Sequence, residues 1–268
     1  MAASGALSYT GKGWWWEYPL RWVKLLDPKL FTIVNKTVTL KPQKGRSPFL
    51  AVRFIKGGIV NALGLGNPGI EEIIKRIENT KLNLVISIAG TTYELLEMIK
   101  ILNNLNNIQG IEINVSCPNI EEDITAPKFV KDTIENCYLI GEISHHPLIL
   151  KVSPAQPYLE IADAVENTGI EAFAINSVPW GIYSNDKSPL EKFGGGGVSG
   201  KAAQPLTWKV VKELSQVSSI PVIGPSVWEY EDTNRLLGLG AKAVSFGSVF
   251  LHYPWRPTLF AKRYPKKQ

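Results

Sequence analysis

The sequence predicts an α/β fold, a (β/α)8 TIM barrel with a short or truncated first strand, on three observations. Short, nearly continuous apolar runs alternate with amphipathic stretches along the chain, as parallel strands buried on both faces alternate with covering helices. The length of 268 residues suits one such barrel, which needs roughly 250. Polar residues gather after the C-terminal ends of several strands, the end at which this architecture carries its sites. No linker, low-complexity stretch or long repeat divides the chain, so residues 1–268 read as a single domain.

The elements follow in order. Residues 1–5 supply the end of a first strand, and the aromatic-rich segment 14–26 reads as a helix. Residues 31–38 form a strand, and 40–60, rich in Pro, Gly, Lys and Arg, forms a hairpin excursion. Helix 70–78, strand 84–88 and helix 92–103 come next. In the last of these Leu95, Met98, Ile99 and Leu102 recur at three- and four-residue spacing, the period of a helix with one buried face. Strand 111–116, helix 128–143, strand 148–152, helix 158–167 and strand 172–176 repeat the rhythm. Residues 178–200 interrupt it as a long, glycine-ending loop expected to cover a ligand. Helix 206–216, strand 221–224, helix 230–237, strand 243–246 and a last helix 257–263 complete the chain.

Composition narrows the function. Hydrophobic residues at 44% and charged residues at 20% exclude a disordered chain. The net charge of +5 lies partly in the tail, at Lys262, Arg263, Lys266 and Lys267. No basic stripe with interleaved aromatics marks a nucleic-acid binder. The excess suits an anionic small substrate or a phosphate-bearing cofactor. No apolar run reaches the roughly 20 residues of a membrane span and no signal segment opens the chain, so neither a membrane nor a nucleic acid is an expected partner. Cys117 and Cys137 make neither a disulfide framework nor a zinc site, and a cytoplasmic setting is expected.

Chemistry is expected at the strand ends. Cys117 follows a strand and precedes a proline, which puts a thiol at the barrel mouth, where it can act as base or nucleophile. Cys137 sits among apolar helix neighbours and reads as core. Lys36 and Lys151 lie in or beside apolar strands, where an uncompensated ammonium is costly. With no acidic residue at the neighbouring strand ends, a ligand anion is their expected partner. Asn61, Asn114 and Asn176 with Ser177 stand at other strand ends. A lone strand-end asparagine is more often a turn residue, but several in register point to a polar site. Glycine turns after the last strands suit a phosphate held by backbone N–H groups. His145, His146 and His252 fit neither a hydrolase triad nor a metal site.

Asn114-Val-Ser-Cys-Pro-Asn119 resembles the signature of the dihydroorotate dehydrogenases. The likeness extends through Ala3-Ser-Gly5, Asn35-Lys-Thr37, Asn61-Ala-Leu-Gly-Leu65, Asn67-Pro-Gly69, Lys151, Asn176-Ser177, Gly196-Gly-Val-Ser-Gly200 and Gly247-Ser248, in family order. The resemblance implies an FMN-dependent barrel that oxidises dihydroorotate to orotate in pyrimidine biosynthesis. It makes Cys117 the residue that takes the C5 proton, and a cysteine there marks the soluble class 1 branch. Lys36, Asn61, Leu63, Gly64, Leu65, Asn114, Asn119, Asn176 and Ser177 match substrate-binding positions. Ala3, Ser4, Lys36, Thr37, Asn114, Lys151, Ile175, Gly200, Gly224, Gly247 and Ser248 match flavin-binding positions. As partners it implies a homo-oligomer or a complex with an electron-transfer subunit, since this chain has no iron–sulfur cysteine cluster of its own.

Three departures accompany the likeness. The chain lacks the family's N-terminal segment and most of its first strand. Pro225, which has no N–H to donate, replaces a usual glycine, with Ser226 beside it as a substitute donor. Ser87 stands about where an asparagine often contacts the flavin. Two alternatives stay open on the sequence: a flavin barrel acting on another dihydropyrimidine, against which Lys36 favours an acid, and a catalytically silent FMN-binding subunit.

Overall fold

The computed structural model describes residues 1–115 and 126–264. Its strands are β1 (Thr32–Val34), β2 (Val52–Ile55), β3 (Gly58–Asn61), β4 (Asn83–Ile88), β5 (Ile108–Asn114), β6 (Leu148–Val152), β7 (Ile170–Ile175), β8 (Val178–Pro179), β9 (Gly197–Gly200), β10 (Val222–Gly224) and β11 (Ala243–Val244). Seven of them form a curled, TIM-barrel-like parallel sheet in the order β1-β4-β5-β6-β7-β10-β11. Residues 1–3 lie against both edge strands of that sheet. Ala2 forms parallel bridges with Ile33 and with Phe246, through Ala2 N to Thr32 O at 2.9 Å and Ala3 N to Phe246 O at 2.8 Å.

All seven expected parallel strands are present, two of them shorter than expected. The 31–38 segment is regular only over Thr32–Val34. There the side chain of Asn35 accepts Ser87 N at 2.7 Å, taking a place in the ladder, and pairing resumes at Val38 against Ile88. The 243–246 segment is regular over Ala243–Val244, after which Phe246 turns to pair with Ala2.

Strand alternation explains what the sheet encloses, because successive side chains point to opposite faces. Ile33, Ile86, Ile111, Ile113, Leu148 and Leu150 belong to the main core beneath the helices. Val34, Val85, Ile149 and Ile223 form a separate apolar cluster with Ala172, Ala174 and Ala243. Two residues further along the same faces come Lys36, Ser87, Lys151, Pro225 and Ser245. The inner face is therefore apolar at its floor and polar above it.

Two expectations are corrected. Residues 178–200 are not a structureless loop. Here β8 and β9 join β2 and β3 in an antiparallel sheet ordered β2-β3-β9-β8, with a short helix, Trp180–Tyr183, between them. The glycines serve close approach more than freedom: a Cβ on Gly58 would stand 2.0 Å from Ser199 O. Val60, Val178, Leu190 and Val198 form a small core of their own beneath this sheet.

The 14–26 segment is not one helix. A 3-10 turn at Trp15–Glu17 runs into a five-residue helix, Tyr18–Trp22. Lys24 then takes φ 57°, a left-handed conformation that ends the run. Beneath the turn Glu17 is buried. One carboxylate oxygen accepts Trp14 N at 2.7 Å and the other has no partner among the described residues. Burial pushes this carboxyl from 4.5 up to about 7. The native state therefore holds the proton more tightly than the unfolded chain. That contribution to stability is complete below about pH 4.5 and is lost as pH rises through about 7. Urea titrations at pH 5 and pH 8 are expected to show Glu17→Gln flattening the decline seen in the parent, by up to about 1.4 kcal/mol per pH unit. An equal slope in both proteins would exclude a buried Glu17 proton.

Candidate active site

The polar end of the inner face opens into a cavity of about 1240 Å³, larger than a single small-ligand pocket of roughly 300–1,000 Å³. Its wall includes Ala3, Ser4, Lys36, Thr37, Asn61, Leu63, Gly64 and Leu65 from the first third of the chain. Asn114, Lys151, Ile175, Asn176, Ser177, Gly200, Gly247 and Ser248 come from the rest. Of the described candidates only Gly224 stands apart. Ile223 and its neighbour Pro225 face the cavity, so Gly224 faces outward, where a Cβ would meet Leu236 at 2.8 Å. Cys117 and Asn119 lie outside the described residues. Asn114 ends β5 at the cavity wall, three residues before Cys117.

A hydrogen-bonded chain crosses the floor of this cavity. Ser4 Oγ donates to Asn35 O at 2.8 Å and lies 3.2 Å from Thr37 Oγ1. Thr37 Oγ1 accepts Asn114 Nδ2 at 3.1 Å and meets Ser87 Oγ at 2.9 Å. Ser87 Oγ donates to Glu112 Oε1 at 2.8 Å, and Lys151 Nζ stands 3.4 Å from the same oxygen. With the Ser4 and Ser87 protons committed, the Thr37 hydroxyl is left to donate to one of its two serine neighbours. Four successive strand ends are thus held in one register.

Glu112 corrects the expectation that Lys151 would need a ligand anion. A carboxylate 2% exposed stands beside it, one inward-facing position before Asn114 on β5. The signal was present: a lone acid in Ile111-Glu-Ile113 cannot stay charged in a buried strand without a cation. The sequence reading also missed Tyr9. Its OH donates to Gly66 O at 2.6 Å, and its ring lies 5.7 Å from Lys36 Nζ. Lys36 Nζ donates to the same Gly66 O at 3.0 Å. Burial holds the Tyr9 hydroxyl at a pKa of about 12, so it stays a neutral donor. Arg46 adds a cation to the wall, anchored to Ala62 O at 2.8 Å.

The opposite wall suits a phosphate. Ser248 Oγ is buried without a partner among the described residues. A Cβ on Gly200 (φ 98°) would come within 2.8 Å of it and 2.7 Å from Gly57 O. A Cβ on Gly247 would meet nothing nearer than Ala3 Cβ at 3.7 Å among the described residues. Ser226, at φ 66°, follows Pro225 on the same wall. An unsatisfied hydroxyl among bare backbone is the donor set a phosphate ester needs. Cys137, by contrast, is fully buried in helix Pro127–Ile143, and burial pushes its thiol to about 12. It is core, as expected.

Comparison with known proteins agrees with this geometry. Residues 21–255 match the family described as dihydroorotate dehydrogenase. The chain is 30% identical over 243 residues to "Dihydroorotate dehydrogenase B (NAD(+)), catalytic subunit" of Geobacillus kaustophilus, covering 87% of this chain and 77% of that one. It is 31% identical over 233 residues to the protein of the same name from Bacillus cytotoxicus, covering 82% and 74%. A solved ligand-free structure described as type DHODH from Eimeria tenella superposes with a TM-score of 0.70 at 18% identity, covering 86% of this chain and 75% of that one; that likeness speaks for the fold. A barrel-like sheet with a polar end, a signature running off β5 and a sequence match over most of the length all converge, and the chain belongs to the dihydroorotate dehydrogenase family, on its class 1 branch.

Proposed function

We propose that this enzyme oxidises dihydroorotate to orotate with FMN as its resident cofactor and Cys117 as the base. One observation carries the reading: the described residues at family substrate and flavin positions, Gly224 excepted, line one cavity. In this reading residues 1–3 act as an eighth strand that closes a (β/α)8 barrel, and residues 1–268 form a single FMN-binding domain.

Each role follows from its chemistry. Ser248 Oγ, Gly200 and Gly247 hold the cofactor phosphate. Ser4, Thr37 and Asn114, tied to one another, orient its polar edge. Lys151 would supply positive charge to the bound cofactor. When bound, FMN supplies the acceptor for the hydride from C6 of dihydroorotate. Asn61, Asn114, Asn119, Asn176 and Ser177 offer amides and a hydroxyl to a ring edge of alternating donors and acceptors. Lys36 meets the substrate carboxylate. Cys117 removes the C5 proton as a thiolate.

The matched bacterial proteins are named as NAD(+) enzymes and as catalytic subunits. We therefore infer a cytoplasmic enzyme that passes electrons to an electron-transfer subunit, with a homo-oligomer as the other arrangement.

Purified protein is expected to carry, or to take up, one FMN per chain, read from its visible absorbance. Dihydroorotate is expected to bleach it without air, and dihydrouracil, which lacks the carboxylate, to do so far more slowly. A protein that stays colourless with added FMN overturns the cofactor. Equal bleaching by both compounds overturns the substrate.

A further inference from the structure

We propose that the surface built by residues 15–30 and the C-terminal helix (Arg256–Arg263) docks the enzyme on an anionic lipid bilayer, lying on it without crossing it. This departs from the sequence expectation of no membrane contact and rests on observations independent of the reaction.

The first observation is an aromatic face. Trp15, Tyr18, Trp22 and Leu25 follow one another along the 3-10 turn, the short helix and the residues just after it. They are exposed by 73%, 41%, 80% and 40%, and Val23 beside them by 65%. Glu17 and Leu26 of the same segment are buried. A folded chain rarely leaves so many large apolar side chains together in water without a use for them. Trp and Tyr, with apolar bodies and polar edges, are the residues that settle at a bilayer interface.

The second observation is charge. Arg21, Lys24 and Lys29 lie on the same segment, and Lys262 of the C-terminal helix reaches it, donating to Lys24 O at 3.4 Å. Arg263 follows Lys262. Among the described residues none of these five makes an ion pair. The two segments hold two carboxylates: Glu17 is buried, and Asp27, which accepts Lys29 N at 3.1 Å, stands alone against the five cations. The face is therefore apolar, rimmed by cations and poor in anions, the complement of a layer of lipid phosphates.

Shape favours lipid over a folded partner. Trp22 ends the five-residue helix, Val23 and Leu25 follow it, and none of the three lines the cavity. Separate projecting rings can each sink into deformable lipid, whereas a protein surface would need a matching pocket for each. No helix among the described residues is long and apolar enough to cross a membrane, so the contact is interfacial. Trp15 and Trp16 also line the cavity, so the docked face adjoins the mouth of the active site.

Vesicle sedimentation of the flavin-loaded full chain tests this, with Trp emission as a second readout. The protein is expected to sediment with equimolar phosphatidylglycerol–phosphatidylcholine vesicles, with a blue-shifted emission, and to stay in solution with phosphatidylcholine alone. Raising salt from about 0.05 to about 0.5 M should weaken binding by screening the cations. Arg21→Gln with Lys24→Gln should lower partitioning about fivefold per cation removed. Trp22→Ser with Val23→Ser should lower it about tenfold or more. Both double variants should keep the parent's melting temperature and its dihydroorotate oxidation with a soluble acceptor. Absence of binding to the anionic vesicles overturns the proposal, as does binding that both variants leave intact. It is also overturned if Trp22→Ser with Val23→Ser instead releases a second copy or a protein subunit in size exclusion while vesicle binding is unmoved.

Discussion

Replacing Cys117 by alanine is expected to slow reduction of the bound flavin by dihydroorotate about 10²- to 10⁴-fold, the contribution typical of a positioned general base. The substitution removes the proposed acceptor of the C5 proton and leaves Asn114, Lys151 and the wall proposed to hold the phosphate in place. Orotate affinity should therefore change far less than rate. Cys117→Ser should keep part of the activity and gain more of it at high pH, because a hydroxyl gives up its proton less readily than a thiol. Cys137→Ala is the control. Its sulfur is buried in a helix core, so the substitution should cost stability and leave turnover nearly intact. Anaerobic stopped-flow absorbance on the three variants decides the matter. A parent-like rate in Cys117→Ala would remove the cysteine from the mechanism.

The second large effect concerns the floor of the cavity. Lys151→Met should destabilise the flavin-free protein by about 3 kcal/mol, because removing one member of a buried ion pair strands the other. Glu112 would keep its Ser87 hydrogen bond but lose the only cation within 4 Å among the described residues. The figure sits at the low end of the range for buried pairs, since the Lys151 side chain keeps 11% exposure toward the cavity. Adding Glu112→Gln should recover most of the loss, and a double-mutant cycle from urea denaturation measures the coupling. A Lys151→Met protein as stable as the parent would show that water, not Glu112, balances the lysine.

The strands of the parallel sheet and the helices between them could be placed from the chain alone, because strand and helix impose different periods on apolar residues. The polar strand ends could be placed for the same reason. Once a strand's buried run is located, the residues after it lie at the mouth of the barrel. Lys36, Asn61, Asn114, Lys151, Asn176 and Ser248 stand together at one cavity, as their positions after strands implied.

Other features depend on which segments meet. Residues 178–200 looked like a bare loop because two- and four-residue strands carry too few side chains to show a period. Only the pairing of β9 with β3, more than 130 residues earlier in the chain, and of β8 with β9 makes them a sheet. Gly224 does not line the cavity, and strand register would turn a Cβ there toward Leu236. The 14–26 segment has helical spacing, but a left-handed Lys24 ends the helix at Trp22 and leaves its aromatic face in water. Glu112 and Lys151 each read as an isolated charge, and the parallel register of β5 on β6 brings them together. By itself the sequence determined where the strands of the parallel sheet and the helices between them lie and which ends are polar, since those follow from local spacing and burial. Tertiary structure alone decided which charge faces which, because an ion pair across two strands depends on register, and register is set by contacts between residues far apart in the chain.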